Sequence, residues 1–201
     1  MSRHKYCSSE YDYSCPDSDT FDLDDEECPN HSDLYLLRDA AADERGAIAD
    51  YLACAMETCL EKLFLHVAED EMQHYMETMR LISSLDPVQA QMLEEEDLDF
   101  LVMQRAPIGK PKWGPPGINE EEEDVDVPPP GKKDMPAIRC LTKALQDELH
   151  AINKYQEYMN KAVDSGVRDH FCELMNDEKE HVAEFTAALF KITHEPMAQE
   201  D

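Results

Sequence analysis

The sequence contains a five-residue motif twice, and each copy follows a second shared motif. Asp-Glu-x-x-His occurs at 70–74 and 177–181, and Asp-Glu-x-x-Ala-Ile-x-x-Tyr occurs at 43–51 and 147–155. The upstream copies lie 104 residues apart and the downstream copies 107 residues apart, which predicts a turn three residues longer in the second half. The chain is therefore expected to contain a duplicated helical hairpin.

Both halves have the residue spacing of amphipathic helices, and the sustained Val/Ile/Thr alternation typical of strands is absent. The sequence predicts an all-α fold, a four-helix bundle made of two duplicated αα-hairpins joined by a long crossover. Each predicted helix has a mainly apolar stripe with one Glu at its middle, and two stripes carry a His one turn later. The stripes are Leu37, Ala41, Glu44, Ile48, Tyr51 and Ala55; Phe64, Val67, Glu71, His74, Thr78 and Ile82; Leu141, Ala144, Glu148, Ile152, Tyr155 and Met159; and Phe171, Leu174, Glu178, His181, Phe185 and Leu189.

The segments between and around these helices differ in composition. Asp86 is expected to cap a short helix that begins at Pro87. Ser165 and Gly166 are expected to interrupt the second half, with Gly166 ending a helix. The predicted segments are an acidic, disordered tail over 1–32, a bundle domain over 33–194 and a C-terminal tail over 195–201. Within the domain they are a hairpin over 33–84, a short acidic helix over 85–104, a proline-rich crossover over 105–136 and a second hairpin over 137–194.

The glutamates at the centres of the stripes require neutralisation. An ionised carboxylate buried without a partner costs several kcal/mol, on the order of the whole stability of a domain. No Lys or Arg lies on the stripes, whereas two divalent ions would balance four Glu, and a Glu and a His three residues apart can reach one ion. The pattern predicts a two-metal site, with a degenerate, metal-free bundle as the alternative. The hydroxyls of Tyr51 and Tyr155 also need partners, and a ligand carboxylate is the nearest candidate.

At these residues the sequence resembles the ferritin-like superfamily, and its pattern is closest to di-iron carboxylate proteins of the rubrerythrin and bacterioferritin types. The resemblance covers both hairpins but neither the tail nor the crossover. It implies that Glu71 and Glu178 bridge two metal ions and that Glu44 and Glu148 are terminal ligands. The full set of matching ligands is Glu44, Glu71, His74, Glu148, Glu178 and His181.

The resemblance also implies roles for residues that contact the ligands. Asp70 would orient His181 of the opposite half, and Asp177 would orient His74. Tyr51 and Tyr155 match the tyrosines that contact ligands in these families.

Two departures from the rubrerythrin pattern bear on activity. The chain has no Cys-x-x-Cys pair, so it lacks a rubredoxin domain and the electron-transfer site that such a domain provides. Ala151 stands where a rubrerythrin carries an additional Glu. Both departures favour a plainer centre of four Glu and two His, as in bacterioferritin-type proteins, and this set also resembles that of manganese catalases.

The composition limits the classes of partner. With 18 Lys and Arg against 46 Asp and Glu, the net charge is −28, so binding to nucleic acid or to an anionic membrane surface is not expected. No apolar run has transmembrane length, and no secretory signal follows Met1, which predicts a cytoplasmic protein. A homo-oligomer is compatible with the sequence.

The cysteines and the remaining histidines are expected to have simpler roles. All seven Cys should be reduced, with those on the helices as small buried apolar residues: Cys54, Cys59, Cys140 and Cys172. His150, His170 and His194 should be exposed. The tail could hold a weak second metal site at Cys28 and His31, drawing also on His4, Cys7 and Cys15.

These observations lead to three functional hypotheses. The first is a di-iron oxidoreductase that oxidises ferrous iron or reduces peroxide or dioxygen, with an external electron donor for peroxide reduction. The second is a di-manganese, catalase-like enzyme, because carboxylate and imidazole ligands accept Fe and Mn alike. The third is non-enzymatic iron binding or storage, alone or as part of a shell.

Overall fold

The computed structural model describes residues 29–102 and 131–193, and these residues are helical, as predicted. The helices are α1 (Ser32–Glu57), α2 (Glu61–Leu85), α3 (Pro87–Glu95), α4 (Met135–Lys161) and α5 (Ser165–Thr193), with a 3₁₀ turn at Asp99–Leu101. Within the two described ranges there is no β-strand, so the all-α prediction is confirmed for them. The predicted tail and most of the proline-rich crossover lie outside the described residues.

The long helices form two hairpins, α1 with α2 and α4 with α5, and each hairpin turns through three residues. The predicted difference in turn length is therefore wrong. Instead, α5 begins thirteen residues before Glu178, whereas α2 begins ten residues before Glu71. The three extra residues therefore add almost one turn at the beginning of α5.

The break between α4 and α5 also differs from the prediction, because Gly166 lies in the first turn of α5 and ends no helix. Its backbone N–H donates to the side chain of Asp164 (2.7 Å), as does that of Val167 (3.0 Å). Asp164 thus satisfies N–H groups that a helix start leaves without helical partners, which explains why the helix begins where it does.

The short third helix begins as expected. Asp86 accepts a hydrogen bond from the backbone of Gln89 (3.0 Å), and Pro87 occupies the first helical position, where its missing N–H costs nothing. Helix α4 begins at Met135, so Pro136 is in its first turn and not in the crossover.

The predicted stripes face the interior. All of their residues are buried except Ile152, Met159 and Leu189, which are partly buried. One apolar cluster contains residues from the beginning of α1, the end of α2, the end of α4 and the beginning of α5. A second contains residues from the opposite ends of the same helices. Neighbouring helices are thus antiparallel, and the four stripe glutamates lie between two apolar layers.

Polar contacts and one covalent bond join the hairpins. Buried Asp33 of α1 accepts hydrogen bonds from the backbone of Val163 (3.1 Å) and Asp164 (2.8 Å). Nearer the middle, Lys154 of α4 pairs with Asp39 and Asp43 of α1. At the other end Cys54 of α1 is bonded to Cys140 of α4.

Candidate metal centre

Four carboxylates from four helices meet in the interior. Glu44, Glu71, Glu148 and Glu178 are each 3 % exposed or less, and His74 and His181 are 5 % and 3 % exposed. The sequence placed these six residues on stripes, and the structure brings all six together because the antiparallel helices align the centres of the stripes.

The six residues form two overlapping groups of four. One possible ligand atom from each of Glu44, Glu71, His74 and Glu178 lies within 4.8 Å of the others, and the same holds for Glu71, Glu148, Glu178 and His181. Glu71 and Glu178 belong to both groups. Each group could hold one cation, so the shared residues lie where bridging ligands would be needed.

The orientation of the shared carboxylates matches this division. Glu71 has Oε2 3.2 Å from Nδ1 of His74 and Oε1 3.3 Å from Nδ1 of His181. Glu178 has Oε1 3.7 Å from Nδ1 of His74 and Oε2 2.9 Å from Nδ1 of His181. Each shared carboxylate thus presents one oxygen to each group.

The unshared glutamates each lie beside one histidine. Oε2 of Glu44 is 3.8 Å from Nδ1 of His74, and Oε1 of Glu148 is 3.9 Å from Nδ1 of His181. Since all these contacts are made by Nδ1, that nitrogen of each histidine is directed at the four glutamates.

The other ring nitrogen of each histidine faces an aspartate of the opposite hairpin. Nε2 of His74 lies 3.3 Å from Oδ2 of Asp177, and Nε2 of His181 lies 3.7 Å from Oδ2 of Asp70. These are the pairs that the family resemblance implied. An acceptor at Nε2 favours a proton on that nitrogen and leaves the Nδ1 lone pair for a cation.

Two tyrosine hydroxyls orient the unshared glutamates. Tyr155 donates to Oε1 of Glu44, and Tyr51 donates to Oε1 of Glu148, each across the two hairpins. The sequence predicted carboxylate partners for both hydroxyls. Burial and the neighbouring glutamates raise the pKa of both tyrosines, so the hydroxyls keep their protons and remain donors.

Without a cation, protons balance much of the charge. Burial raises the pKa of Glu148 to about 10 and that of Glu44 well above its ordinary value. Burial opposes ionisation of Glu71 as well, but hydrogen bonds from its neighbours outweigh it and lower its pKa. Burial would likewise lower the pKa of both histidines, yet their carboxylate partners raise it. Protons bound to two glutamic acids and to the imidazoles thus supply the positive charge that cations would otherwise supply.

The donor set fits divalent cations. Oε1 of Glu71 is buried and has no well-aligned hydrogen-bond donor among the described residues, and the charged group beside it is Nδ1 of His181 at 3.3 Å. A bound cation would give this buried carboxylate oxygen a partner with better geometry than the histidine provides. Four carboxylates and two imidazoles suit Fe and Mn, and Zn as well, so the ligands set the class of metal but not its identity.

Next to these residues lies a histidine that was predicted to be exposed and is buried. His170 is 6 % exposed, not on the surface, and its Nε2 lies 2.8 Å from Oγ1 of Thr78. Burial, with a smaller effect from His74, lowers its pKa to about 4. Its spacing of eight residues from Glu178 was a usable signal, because residues eight apart lie near the same helix face. His150 is exposed as expected, and His194 is outside the described residues.

The polar pair Thr78–His170 occurs at only one side of the centre. Adding or subtracting the repeat offset of 107 converts Thr78 to Phe185 and His170 to Leu63. The equivalent side is therefore apolar, with the rings of Phe185 and Tyr51 5.5 Å apart. The two four-residue groups therefore have equivalent residues but different surroundings.

The cysteines depart from the expectation of reduced, buried thiols. Cys54 and Cys140 form a disulfide, Cys59 is an exposed thiol in the α1–α2 turn, and Cys172 is a partly buried thiol on α5. The bonded residues are 86 apart in sequence, and only the pairing of α1 with α4 brings their Cα atoms to 5.9 Å.

The possible second site in the tail is not described in full. His31 caps α1, where its Nδ1 accepts a hydrogen bond from the backbone of Asp33 (3.2 Å). His4, Cys7, Cys15 and Cys28 lie outside the described residues. The Cys28–His31 prediction stays a prediction, and the hydrogen bond at His31 competes with a metal for Nδ1.

In the described parts of the chain, no helix has the length and apolarity needed to cross a bilayer. No protein-family model, curated protein or solved structure matches the sequence or the fold.

Proposed function

We propose that the chain is a ferritin-like protein that binds two divalent cations between its hairpins and acts as a di-iron oxidoreductase. The observation that carries the proposal is the orientation of Glu71 and Glu178, each with one oxygen directed towards each four-residue group. A surface cluster of acids has no reason to be shared in this way, nor to lie between apolar layers.

Each residue of the site has a role in this proposal. Glu71 and Glu178 would bridge the two ions, while Glu44 and His74 would complete one coordination sphere and Glu148 and His181 the other. Asp177 and Asp70 would hold the histidines with Nδ1 towards the ions. Tyr155 and Tyr51 would occupy one oxygen of each terminal glutamate, which limits how those carboxylates rotate.

Two bound iron ions would supply the redox chemistry, passing electrons to peroxide or dioxygen from an external donor or from ferrous iron as substrate. The chain's own contribution is to bind the ions, fix their ligands and surround them with apolar residues that restrict water. Phe64, Phe185 and Tyr51 form such a layer on one side, with ring centroids 5.5 to 6.1 Å apart.

Metal analysis of protein purified without added metal tests this proposal, followed by oxygen-consumption and peroxide assays. Iron with oxygen-dependent oxidation of ferrous iron, or with peroxide reduction, supports it. Manganese with oxygen release from peroxide would replace it by the catalase-like alternative, and bound iron without turnover would replace it by iron storage.

The matched variants are Glu71→Ala with Glu178→Ala, and Glu69→Ala with Glu180→Ala. The first pair removes both shared ligands and should abolish binding of two ions per chain. The second pair lies on the same two helices at exposed positions and should leave binding unchanged. Retention of two ions by the first variant would refute the site.

A further inference from the structure

The disulfide between Cys54 and Cys140 lies at the apolar end of the proposed centre. Cys140 is buried, Cys54 is partly buried, and both contribute to the apolar cluster that contains Tyr51 and Phe185. Within the described residues this disulfide is the covalent connection between the two hairpins.

A short route leads from this bond to the ligands. Cys54 follows Tyr51 by three residues on α1, which is about 4.5 Å along the helix axis. Tyr51 donates its hydroxyl proton to Glu148. Cys140 precedes Glu148 on α4 by eight residues, about 12 Å along the axis. Tyr51 therefore lies between the sulfur atoms and the terminal ligand Glu148.

The disulfide is not repeated at the other end of the bundle. The repeat offset of 104 converts Cys54 to Tyr158 and Cys140 to Leu36. There Tyr158 donates to Asp39 across the same pair of helices, so a noncovalent contact joins α1 and α4. A noncovalent contact is therefore sufficient to join α1 and α4 at that end. A need to join the two hairpins does not by itself explain why a disulfide is present at this end.

We propose that Cys54 and Cys140 are a redox pair that supplies two electrons to peroxide reduction at the centre, an inference that rests on the proposed function. In the net reaction the two thiols are oxidised to the disulfide and one hydrogen peroxide is reduced to two waters. The O–O bond breaks, the S–S bond forms, and the two thiol protons end on the water oxygens. The pair thereby serves as the immediate electron source for the centre.

Return to the dithiol form requires an external dithiol. Its thiolate attacks Sγ of Cys54, the more exposed of the two residues, and the thiolate of Cys140 leaves. The second thiol of the reductant then resolves the mixed disulfide, so the reductant becomes a disulfide and the chain regains two thiols. The external donor is accordingly a dithiol reductant.

The test follows the disulfide itself. The full chain is reduced, freed of reductant, loaded anaerobically with ferrous iron and mixed with one equivalent of hydrogen peroxide. Samples are quenched in acid, alkylated and mapped by mass spectrometry. The Cys54–Cys140 disulfide should form at least about tenfold faster in the iron-loaded protein than in the metal-free protein. Exposed Cys59 should remain alkylatable over the same interval. If peroxide in bulk solvent oxidised the thiols directly, it would reach Cys59 before the less exposed pair.

Equal rates with and without iron would overturn the inference, as would loss of Cys59 before the pair forms. Metal content measured on the same samples separates this failure from that of the proposed function. Two ions bound without faster disulfide formation would refute only the redox pair, whereas absence of bound ions would refute both.

A second measurement uses the double variant Cys54→Ser with Cys140→Ser, which should bind two ions but lose dithiol-driven peroxide turnover. Full turnover in that variant would also refute the inference.

Discussion

Asp177 of α5 contacts the ring of His74 on α2, with 3.3 Å between Oδ2 and Nε2, and so holds a candidate ligand from the opposite hairpin. The reverse contact joins Asp70 to His181 over 3.7 Å. Each hairpin therefore orients the histidine of the other. The arrangement of the centre depends on the two halves being docked, because neither half contains both a histidine and its aspartate partner.

Asp177→Asn should weaken metal binding without abolishing it. The substitution keeps the size of the side chain but removes the charge beside Nε2, and loss of such a partner typically lowers metal affinity by about 10- to 100-fold. Competition titration with a chelating dye measures the change. Asp169→Asn, at an exposed position on the same helix, is the matched control. Equal affinities for the two variants would contradict the role given to Asp177.

Tyr155→Phe should destabilise the metal-free protein by about 1–3 kcal/mol, because Glu44 is left buried without its hydroxyl donor. Denaturant unfolding in the presence of a chelator gives this free energy. Tyr158→Phe removes a comparable hydroxyl whose partner Asp39 is partly exposed, so its cost should be smaller. A larger loss for Tyr158→Phe would show that burial of the carboxylate is not the controlling factor.

His170 should make stability fall as the pH falls. Its pKa is about 4 in the folded chain against 6.5 in the unfolded chain, so between these values the unfolded state binds more protons. The stabilisation is complete above pH 6.5, and about 2 kcal/mol of it is lost by pH 5.

Comparison of unfolding free energies for the wild type and His170→Leu across this range isolates the contribution. Leucine is the residue at the equivalent position of the first hairpin, Leu63. His150→Gln, on the exposed face of α4, is the control. A pH dependence that persists unchanged in His170→Leu would contradict the prediction.

Metal binding should release protons and strengthen as the pH rises. Four candidate ligands have raised pKa values in the metal-free chain, and each must lose its proton to coordinate a cation: Glu44, His74, Glu148 and His181. Calorimetric titration in buffers of different ionisation enthalpy counts the protons released. A binding enthalpy that is independent of the buffer would contradict the protonation states described above.

The polar interior could be predicted from the sequence because helical spacing alone assigns each residue to a face. Glu44, Glu71, Glu148 and Glu178 sit at the centres of their stripes, so antiparallel packing was sufficient to bring them together. The partners of Tyr51 and Tyr155 followed from the same reasoning, since a buried hydroxyl needs an acceptor and the stripes offered few.

Other features depended on information that the one-dimensional pattern does not contain. Cys54 and Cys140 are 86 residues apart, and their proximity is set by how α1 docks on α4. His170 lies at the edge of its stripe, where burial is decided by the neighbouring helix that supplies Thr78. The extra residues of the second half could be counted but not located, because an added turn at a helix start and a longer loop give the same offset.

The Thr78–His170 pair has a consequence for how the centre would fill. Two separate copies of a single hairpin would present the same side chain at both ends of their interface, by symmetry. One continuous chain is free of that constraint, and here it places the hydroxyl of Thr78, paired with His170, one turn after His74 and the ring of Phe185 one turn after His181, so each candidate cation position has a different neighbour. The two positions therefore differ in local polarity, and cations would occupy them in a defined order, with a singly loaded state between the empty and the full centre.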